Sequence, residues 1–471
     1  MTDIAHQLQG KIEGNVLSPM SPGYSEALRR NSDLSVLEAA CVAQPAVYTD
    51  ISTIISFASS RKLEIAVKGG GCHSSTWSSS QGGVVIDLSI LKKVTLSKDR
   101  STVIVQGGAN WGDVYELGSK EGFEVVGAPL WFVGVGGSLL GGAYGNLTAE
   151  HGLGLDNMVA AKVVLADGRI IDTSVTKEPD LFWAIRGGGC QFGIVVEFVL
   201  RTFPSPGPST IGSLVYSGTV FPDVLKVIQE FVTTATVHEK VGLMFTRPAP
   251  HFQPTVVVTP WISGATTRST ANILAPFRSD IAPLIDKVTS APDQLIVSHA
   301  SDAALSSAPR RLIIRGVPFI DLWTDMMLEV WTRWCKFTEE HEDARRSTVI
   351  WDTRKSEKVA EVRREDTAFC VRYPHYSVAI QGRNSRPETD EVSRAFVTST
   401  AAFIRQTNIQ KTGHDLGLLL NMAQGDEPAE AVFGLNLAKL RKLKAKYDPE
   451  RMWTKGFVID SDVEESKAES V

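Results

Sequence analysis

The chain contains a loop in which three glycines are followed by a thiol and an imidazole. The residues of this first glycine loop are Lys68, Gly69, Gly70, Gly71, Cys72, His73 and Ser74. Backbone without side chains can approach a ligand closely, and successive N–H groups form a concavity that binds an anion such as a pyrophosphate. The pattern therefore predicts a phosphate cradle, and an apolar strand over residues 82–88 follows it.

Two more glycine clusters lie downstream. The second glycine loop spans residues 133–145 and the third spans residues 186–195. Each alone is more often a tight turn, and the second departs from the dinucleotide-binding pattern GxGxxG because Leu139 stands at its third glycine position. All three loops stand beside predicted strands. Together they predict one site for an extended, diphosphate-containing ligand.

Short helices and strands must hold these loops. Residues 48–61 have apolar side chains at helical spacing, and residues 111–121 are predicted as another helix. The predicted strands are residues 64–67, 82–88, 102–106 and 161–165. A proline-rich run over residues 204–208 then predicts a domain boundary.

Beyond the proline-rich run, alternating strands mix with helices. Residues 256–258 and 376–380 are predicted strands, residues 320–340 form the longest predicted helix, and residues 430–446 form the last. One face of the longest helix is aromatic and apolar, which we interpret as ordinary core. The members of this face are Trp323, Met327, Trp331 and Trp334.

Composition limits the class of protein. The 471 residues, 43% of them hydrophobic, are enough to bury two cores. A formal net charge of -5 gives no basic footprint for nucleic acid. Five scattered cysteines without a CxxC pair predict neither a disulfide framework nor a metal site. Because the sequence has no apolar leader and no apolar segment of membrane length, we expect a soluble cytoplasmic protein without a membrane partner.

The glycine loops and two further strings resemble the FAD-linked oxidases related to vanillyl-alcohol oxidase and the berberine bridge enzyme. The strings are Asp180-Leu181-Phe182-Trp183-Ala184-Ile185-Arg186-Gly187-Gly188-Gly189 with Phe192-Gly193-Ile194-Val195, and Phe433-Gly434-Leu435-Asn436-Leu437 with Tyr447-Asp448-Pro449. Members from fungal secondary metabolism are the most similar. The resemblance implies an α+β, two-domain PCMH-type FAD-binding fold, with a substrate domain in which helices cover an antiparallel sheet.

The same resemblance divides the chain. Residues 1–205 are expected to form the FAD-binding domain, and residues 206–415 the substrate domain. Residues 416–460 are expected to be a C-terminal berberine-bridge element that packs back on the FAD domain. The acidic and polar residues 461–471 are predicted to be a disordered tail.

FAD is the cofactor that the resemblance implies. The residues implied to bind it are Lys68, Gly69, Gly70, Gly71, Cys72, His73, Ser74, Val133, Gly134, Gly136, Gly137, Ser138, Gly141, Gly142, Tyr144, Gly145, Gly152, Ile194, Val195 and Asn421.

The register of the first glycine loop bears on how the flavin is held. Counting ten residues back from Gly82, the spacing that separates the family's flavin-linking histidine from its glycine pair, reaches Cys72. A one-residue shift turns a side chain to the opposite side, so His73 reaches the flavin only if the loop contains a bulge. Leu130 replaces the second anchoring cysteine of some relatives, and the resemblance gives no precedent for a bond to Cys72. We therefore expect FAD to be bound without a covalent bond.

A second departure concerns the proton that must leave when an alcohol or amine loses hydride. Many relatives carry Tyr-x-Asn near the C-terminus, where this chain has Leu419, Leu420 and Asn421. The usual phenol is therefore absent. Side chains that titrate in a suitable range lie in the middle domain, where they could equally flank a hairpin turn after a proline. These candidates are Arg372, Tyr373, His375 and Tyr376.

Three functions are compatible with these residues. The first is an FAD-dependent oxidoreductase that oxidises a small organic substrate and passes electrons to oxygen or another acceptor. The second is a redox-neutral cyclase or isomerase that uses FAD as part of its pocket wall. The third is a flavin or small-molecule binder without catalysis. We expect the first, because the cofactor performs the redox step while the protein orients the substrate.

Overall fold

The computed structural model describes residues 4–302, 305 and 308–461. The predicted tail over residues 461–471 therefore lies, apart from its first residue, outside the described part of the chain. Among the described residues, no helix combines the length and the apolar character that a bilayer-spanning segment needs.

The N-terminal part of the chain is built on two main sheets. Its strands are β1 (Asn15–Leu17), β2 (Cys41–Gln44), β3 (Ile65–Lys68), β4 (Val84–Asp87), β5 (Val94–Leu96), β6 (Thr102–Gln106), β7 (Phe123–Glu124), β8 (Met158–Val164), β9 (Ile170–Ser174), β10 (Ile194–Arg201) and β11 (Phe203–Pro204). Its helices are α1 (Ile4–Leu8), α2 (Tyr24–Ala27), α3 (Tyr48–Ser60), α4 (Trp111–Glu121), α5 (Val135–Leu140), α6 (Thr148–His151) and α7 (Pro179–Ile185). The helices and strands predicted in this region are confirmed to within a few residues at their ends.

The two sheets present the glycine loops at strand ends. The first sheet has the order β1-β2-β4-β3, with parallel pairing of β4 to both β2 and β3. The second has the order β5-β6-β10-β8-β9 and is antiparallel. The first glycine loop leaves the carboxyl end of β3, and the third leads into β10. Strand pairing therefore fixes one end of each of these loops.

The middle of the chain forms a large antiparallel sheet covered by helices. Its strands are β12 (Ser209–Ile211), β13 (Leu214–Ser217), β14 (Glu239–Thr246), β15 (Thr255–Ile262), β16 (Ile285–Asp286), β17 (Thr289–Ala291), β18 (Arg311–Phe319), β19 (Thr348–Asp352) and β20 (Tyr376–Asn384). Its described helices include α8 (Phe221–Thr234), α9 (Thr270–Leu274), α10 (Pro276–Ser279), α11 (Gln294–Ser298), α12 (Thr324–Glu340), α13 (Glu357–Ala360) and α14 (Asp390–Thr412). The main strand order is β16-β13-β15-β14-β19-β20-β18.

Helix α12 confirms the interpretation of its aromatic face as core. Met327 and Trp334 are fully buried against the sheet, and Trp331 packs at the edge of the same cluster. The helix begins at Thr324, and Trp323 is the residue before it rather than part of its first turn.

The C-terminal segment contains two helices where the sequence predicts one. They are α15 (Ala429–Phe433) and α16 (Leu437–Tyr447). Gly434 separates them because its φ of 50° lies in the left-handed region, which an α-helix excludes. Phe433 and Leu440 pack into the same cluster as Trp111 and Phe198 of the N-terminal part. The boundaries at residues 205, 415 and 460 stay a prediction.

A buried ion pair ties α16 to the third glycine loop. Lys444 and Asp448 are both inaccessible to solvent, and Lys444 Nζ lies 2.7 Å from Asp448 Oδ2. The ammonium also donates to the carbonyl and side-chain oxygens of Gln191, while the carboxylate accepts from the N–H groups of Met452 and Trp453. The charges of Lys444 and Asp448 therefore compensate each other where α16 meets the third glycine loop.

Replacing Lys444 with methionine should destabilise the protein by about 3–5 kcal/mol, because it leaves the Asp448 carboxylate buried without its counter-ion. Lys446→Met on the same helix is the matched control, since Lys446 is half exposed and its pair with Asp180 is worth about 0–1 kcal/mol. Urea denaturation followed by circular dichroism measures both. Equal urea midpoints for the two variants would contradict this account of the Lys444–Asp448 ion pair.

Candidate functional site

The first and second glycine loops cross in direct backbone contact. A Cβ atom built on Gly70 would lie 2.6 Å from the Cα atom of Gly134, and one built on Gly134 would lie 2.8 Å from the Cα atom of Gly70. Asn110 forms an isolated β-bridge with Gly134 and holds the crossing from the other side. Because a side chain at either position would separate the loops, this crossing requires two glycines.

Backbone donors line the crossing without partners from the chain. Within the described residues, no N–H group of residues 70–74 donates a hydrogen bond to another part of the chain. The N–H groups of Gly136 and Gly137 belong to the first turn of α5, where helices leave their donors unpaired. Gly137 is exposed, and a Cβ atom built there would have nothing within 4 Å. The loops thus form an open cradle of donors suited to an anion.

Lys68 and Ser74 of the first glycine loop, both predicted to bind the cofactor, form hydrogen bonds with other parts of the chain. Lys68 Nζ donates to the carbonyl of Ala27 at 2.9 Å and lies 3.5 Å from Asp87 Oδ2. Ser74 Oγ accepts from the Ile314 N–H group at 3.2 Å and from Gln424 Nε2 at 3.0 Å. Their contacts hold the loop to the sheets and to the C-terminal segment, and their role as cofactor ligands stays a prediction.

Cys72 and His73 point in different directions. Cys72 Sγ donates to the carbonyl of Phe132 at 3.1 Å, beside the second glycine loop. The His73 ring stacks on Trp77 with 3.9 Å between centroids, and its Nδ1 atom accepts from the Ser75 N–H group. Burial raises the pKa of the Cys72 thiol to about 11 and lowers the pKa of His73 to about 4. The thiol is therefore protonated and the imidazole neutral at pH 7.

The second glycine loop is fixed from both sides. Ser138 Oγ accepts from Trp111 Nε1 at 2.8 Å and donates to the Gly134 carbonyl. Asn421 Nδ2 donates to the Gly137 carbonyl at 3.1 Å, and Asn421 Oδ1 accepts from the Ala143 N–H group at 3.3 Å. The amide of Asn421 also contacts Gly141 and Gly142. The structure therefore brings this C-terminal residue to the second loop, as the resemblance implies.

The remaining predicted cofactor residues lie around the same loops. Val133 accepts from the Trp111 N–H group, Gly136 packs near the Gly107 carbonyl and Gly145 donates to Thr148. Gly152 stands beside Asp156. Ile194 and Val195 are buried at the start of β10, where the Val195 carbonyl faces Gly107.

The four catalytic candidates are separated by their contacts, and Tyr373 packs against Arg364 and His414. Arg372 is buried and makes two 2.8 Å hydrogen bonds to the carboxylate of Asp156, so its charge is paired. His375 is buried and bonded to Tyr144 at 2.9 Å. Tyr376 begins β20 and packs half-buried beside Phe319. Of these four residues, His375 alone bonds to a side chain of the glycine loops within the described part of the chain, and all four catalytic roles stay predictions.

A charged group beside Tyr144 is missed by reasoning from the sequence alone. Arg354 donates to the Gly145 carbonyl at 2.5 Å, pairs with Asp352 and lies with its guanidinium 5.7 Å from the centre of the Tyr144 ring. Lys240 lies 3.6 Å from the same Asp352 carboxylate. The signal in the sequence is a charged pair, Asp352 and Arg354, at the end of an apolar strand. Such a pair is also typical of a strand end that is exposed to solvent.

Comparison with known proteins fits this geometry. The FAD binding domain family matches residues 39–174, and the berberine and berberine like family matches residues 420–455. The FAD-linked oxidoreductase pgmH of Aspergillus terreus is 32% identical over an alignment of 482 residues, gaps included. The alignment covers 96% of this chain and 95% of the relative.

Solved structures share the fold. Physcomitrella patens BBE-like 1 superposes with a TM-score of 0.82 at 19% identity, over 97% of this chain and 99% of that chain. The xylooligosaccharide oxidase from Myceliophthora thermophila C1, solved in complex with xylobiose, superposes with a TM-score of 0.81 at 20% identity, over 98% of this chain and 99% of that chain. The predicted α+β, PCMH-type FAD-binding fold is confirmed.

Fold and cradle together define a flavin-dependent oxidoreductase. The chain belongs to the family of FAD-linked oxidoreductases with a berberine-type C-terminal element, and FAD is its cofactor. The residues present fit the cofactor, because the unpaired donors of the first two loops match a pyrophosphate and the space in front of Gly137 is open. FAD, when bound, supplies the hydride acceptor.

Gly137→Ala should lower the affinity for FAD by about tenfold or more, or ~1.4 kcal/mol, because the new methyl group occupies the space in front of the cradle. Stability should not fall, since no protein atom opposes that methyl group. Gly10→Ala, which also has nothing within 4 Å, is the matched control. Flavin content by absorbance and melting temperature check both variants. Unchanged flavin content in Gly137→Ala would show that FAD does not occupy this space.

Proposed function

We propose that this FAD-linked oxidoreductase oxidises a small organic molecule in fungal secondary metabolism and holds its FAD without a covalent bond. Oxygen is the proposed final electron acceptor. The fungal source of the 32% identical relative supports the setting. The contacts of Cys72 and His73, together with the protonated state of the Cys72 thiol, support the mode of binding.

The contacts of the two side chains carry the proposal of dissociable FAD. His73 is the residue type that forms flavin bonds in the family, but its ring is stacked on Trp77 and its Nδ1 atom accepts a backbone hydrogen bond. Cys72 faces the second glycine loop, but a thiol with a pKa of about 11 is a poor nucleophile at pH 7. Leu130, at the second anchor position, has no group that forms such a bond. These three observations support FAD held without a covalent bond.

The substrate side of the proposal rests on polar groups in an otherwise apolar wall. Leu419 packs with Leu153, Leu155 and Phe369, and Tyr144 lies against this cluster. Hydride removal from an alcohol or amine also requires an acceptor for the proton. His375 is the catalytic candidate that reaches this wall, through its hydrogen bond to Tyr144.

The same wall favours a second candidate function. Because Leu419 fills with hydrocarbon the position where relatives carry a phenol, a reaction without net oxidation is compatible with the site. In this alternative the chain is a cyclase or isomerase, and FAD forms part of the pocket wall.

Acid precipitation of the purified protein should release its yellow colour into the supernatant, because no covalent bond retains the flavin. Absorbance of pellet and supernatant near the flavin maximum measures the partition. A yellow pellet would contradict dissociable FAD. Comparing pellets of Cys72→Ser and His73→Ala would then identify the bonded residue.

Anaerobic mixing with an oxidisable compound should bleach the flavin absorbance, and air should restore it. A panel of benzylic alcohols, aliphatic alcohols and cyclic secondary amines, followed by stopped-flow spectroscopy, provides the measurement. If the protein converts a panel compound while the flavin stays oxidised and no oxygen is consumed, the redox-neutral alternative replaces the proposal.

A further inference from the structure

Tyr144 and His375 form a hydrogen-bonded pair at the end of the second glycine loop. The Tyr144 hydroxyl lies 2.9 Å from His375 Nε2. Tyr144 also packs against the apolar cluster that contains Leu419. The pair thus places a hydroxyl and an imidazole beside the apolar wall that is proposed to face the substrate.

The contacts of His375 fix the direction of this hydrogen bond. His375 Nδ1 lies 2.6 Å from the carbonyl of Tyr373, and a carbonyl only accepts, so Nδ1 carries the proton. Nε2 is then the acceptor, and the Tyr144 hydroxyl donates to it. Burial lowers the pKa of His375 to about 4, which keeps the ring neutral at pH 7. His375 therefore presents an unprotonated Nε2 atom to the Tyr144 hydroxyl, while burial makes its ring a weaker base than free imidazole.

Positive charge surrounds the phenol. The Arg354 guanidinium lies 5.7 Å from the centre of the Tyr144 ring. Burial raises the pKa of Tyr144, while Arg372 and Arg354 act in the opposite direction. Asp156 and Cys370 raise the pKa of the phenol, and Arg354 and Arg372 further lower the pKa of His375. Both guanidinium groups favour negative charge on the phenol oxygen, and each is also paired with a carboxylate, Arg372 with Asp156 and Arg354 with Asp352.

From these contacts we infer that Tyr144 is a catalytic residue that takes the substrate's proton while passing its own to His375. The inference rests on the proposed oxidation. The substrate's hydroxyl or amine proton moves to Tyr144 Oη, and the Tyr144 proton moves to His375 Nε2. The two electrons leave with the hydride, for which bound FAD would supply the acceptor, so the pair carries only a proton. The imidazolium then releases that proton to solvent.

Anaerobic stopped-flow reduction of the flavin by the fastest compound of the panel tests the role of Tyr144. Tyr144→Phe should slow flavin reduction by about 10²-fold or more, the usual contribution of a positioned proton acceptor. Tyr216→Phe is the matched control, because it removes a buried hydroxyl bonded to the Phe277 carbonyl in the middle core. Equal reduction rates in Tyr144→Phe and the wild type would overturn the inference and leave the proposed oxidation intact.

The pH dependence of the same step tests His375, which acts through Tyr144. In the wild type the rate should be level above about pH 5 and should fall as His375 becomes protonated near its pKa of about 4. In His375→Gln the amide can still accept a hydrogen bond from Tyr144 but cannot take its proton. The rate should then rise about tenfold per pH unit, since the phenol must lose its proton to hydroxide. A level profile in this variant would overturn the role of His375.

A readout without substrate separates this inference from the proposed function. Nitrogen-15 NMR of the holoenzyme should show neutral His375 with its proton on Nδ1 at pH 7, and Tyr144→Phe should shift the Nε2 signal. A proton on Nε2, or a charged ring, would overturn the pair whatever the kinetics show. If the NMR result is as expected but no panel compound reduces the flavin, the proposed oxidation fails and the catalytic role of the pair fails with it.

Discussion

The contact between Gly70 and Gly134 is the constraint on which the site depends. Two backbones that touch without side chains bring the loop after β3 against the loop that leads into α5. Their N–H groups are then left facing outward, because neither loop can use the other's carbonyls as strands do. The open cradle is therefore a consequence of this crossing.

Polar contacts between distant parts of the chain hold the crossing in place. Arg372 and Asp156 are buried and make two hydrogen bonds with each other, so they join the segment after the second loop to the middle of the chain. Asn421 and Gln424 join the C-terminal segment to the second and first loops, respectively. In a low-dielectric interior such bonds are strong when complete, and unpaired groups are costly. These hydrogen bonds therefore hold the loops, the middle of the chain and the C-terminal segment in one relative position.

Local pattern made part of this structure predictable. Helices α3 and α4 and strand β6 follow from periodic apolar residues, and the first glycine loop follows from consecutive glycines, since each depends on near neighbours in sequence. The break in the C-terminal helix at Gly434 depends on one backbone angle that tertiary packing imposes. The bond between Tyr144 and His375 joins residues 231 positions apart, and the strand register that makes it is set by the whole middle sheet. Arg354 reaches the Gly145 carbonyl for the same reason. Sequence reasoning thus reaches the loops but not the side chains that meet across them.

The position of Asn421 and Gln424 near the end of the chain has a consequence for biosynthesis. A ribosome releases the first two glycine loops long before it makes these two residues, and chains generally fold from the N-terminus as they emerge. The loops can cross early, but the amides that fix them follow 284 and 350 positions after the loop residues to which they donate. The nascent protein therefore passes through a stage in which both glycine loops are present without the two amides that hold them.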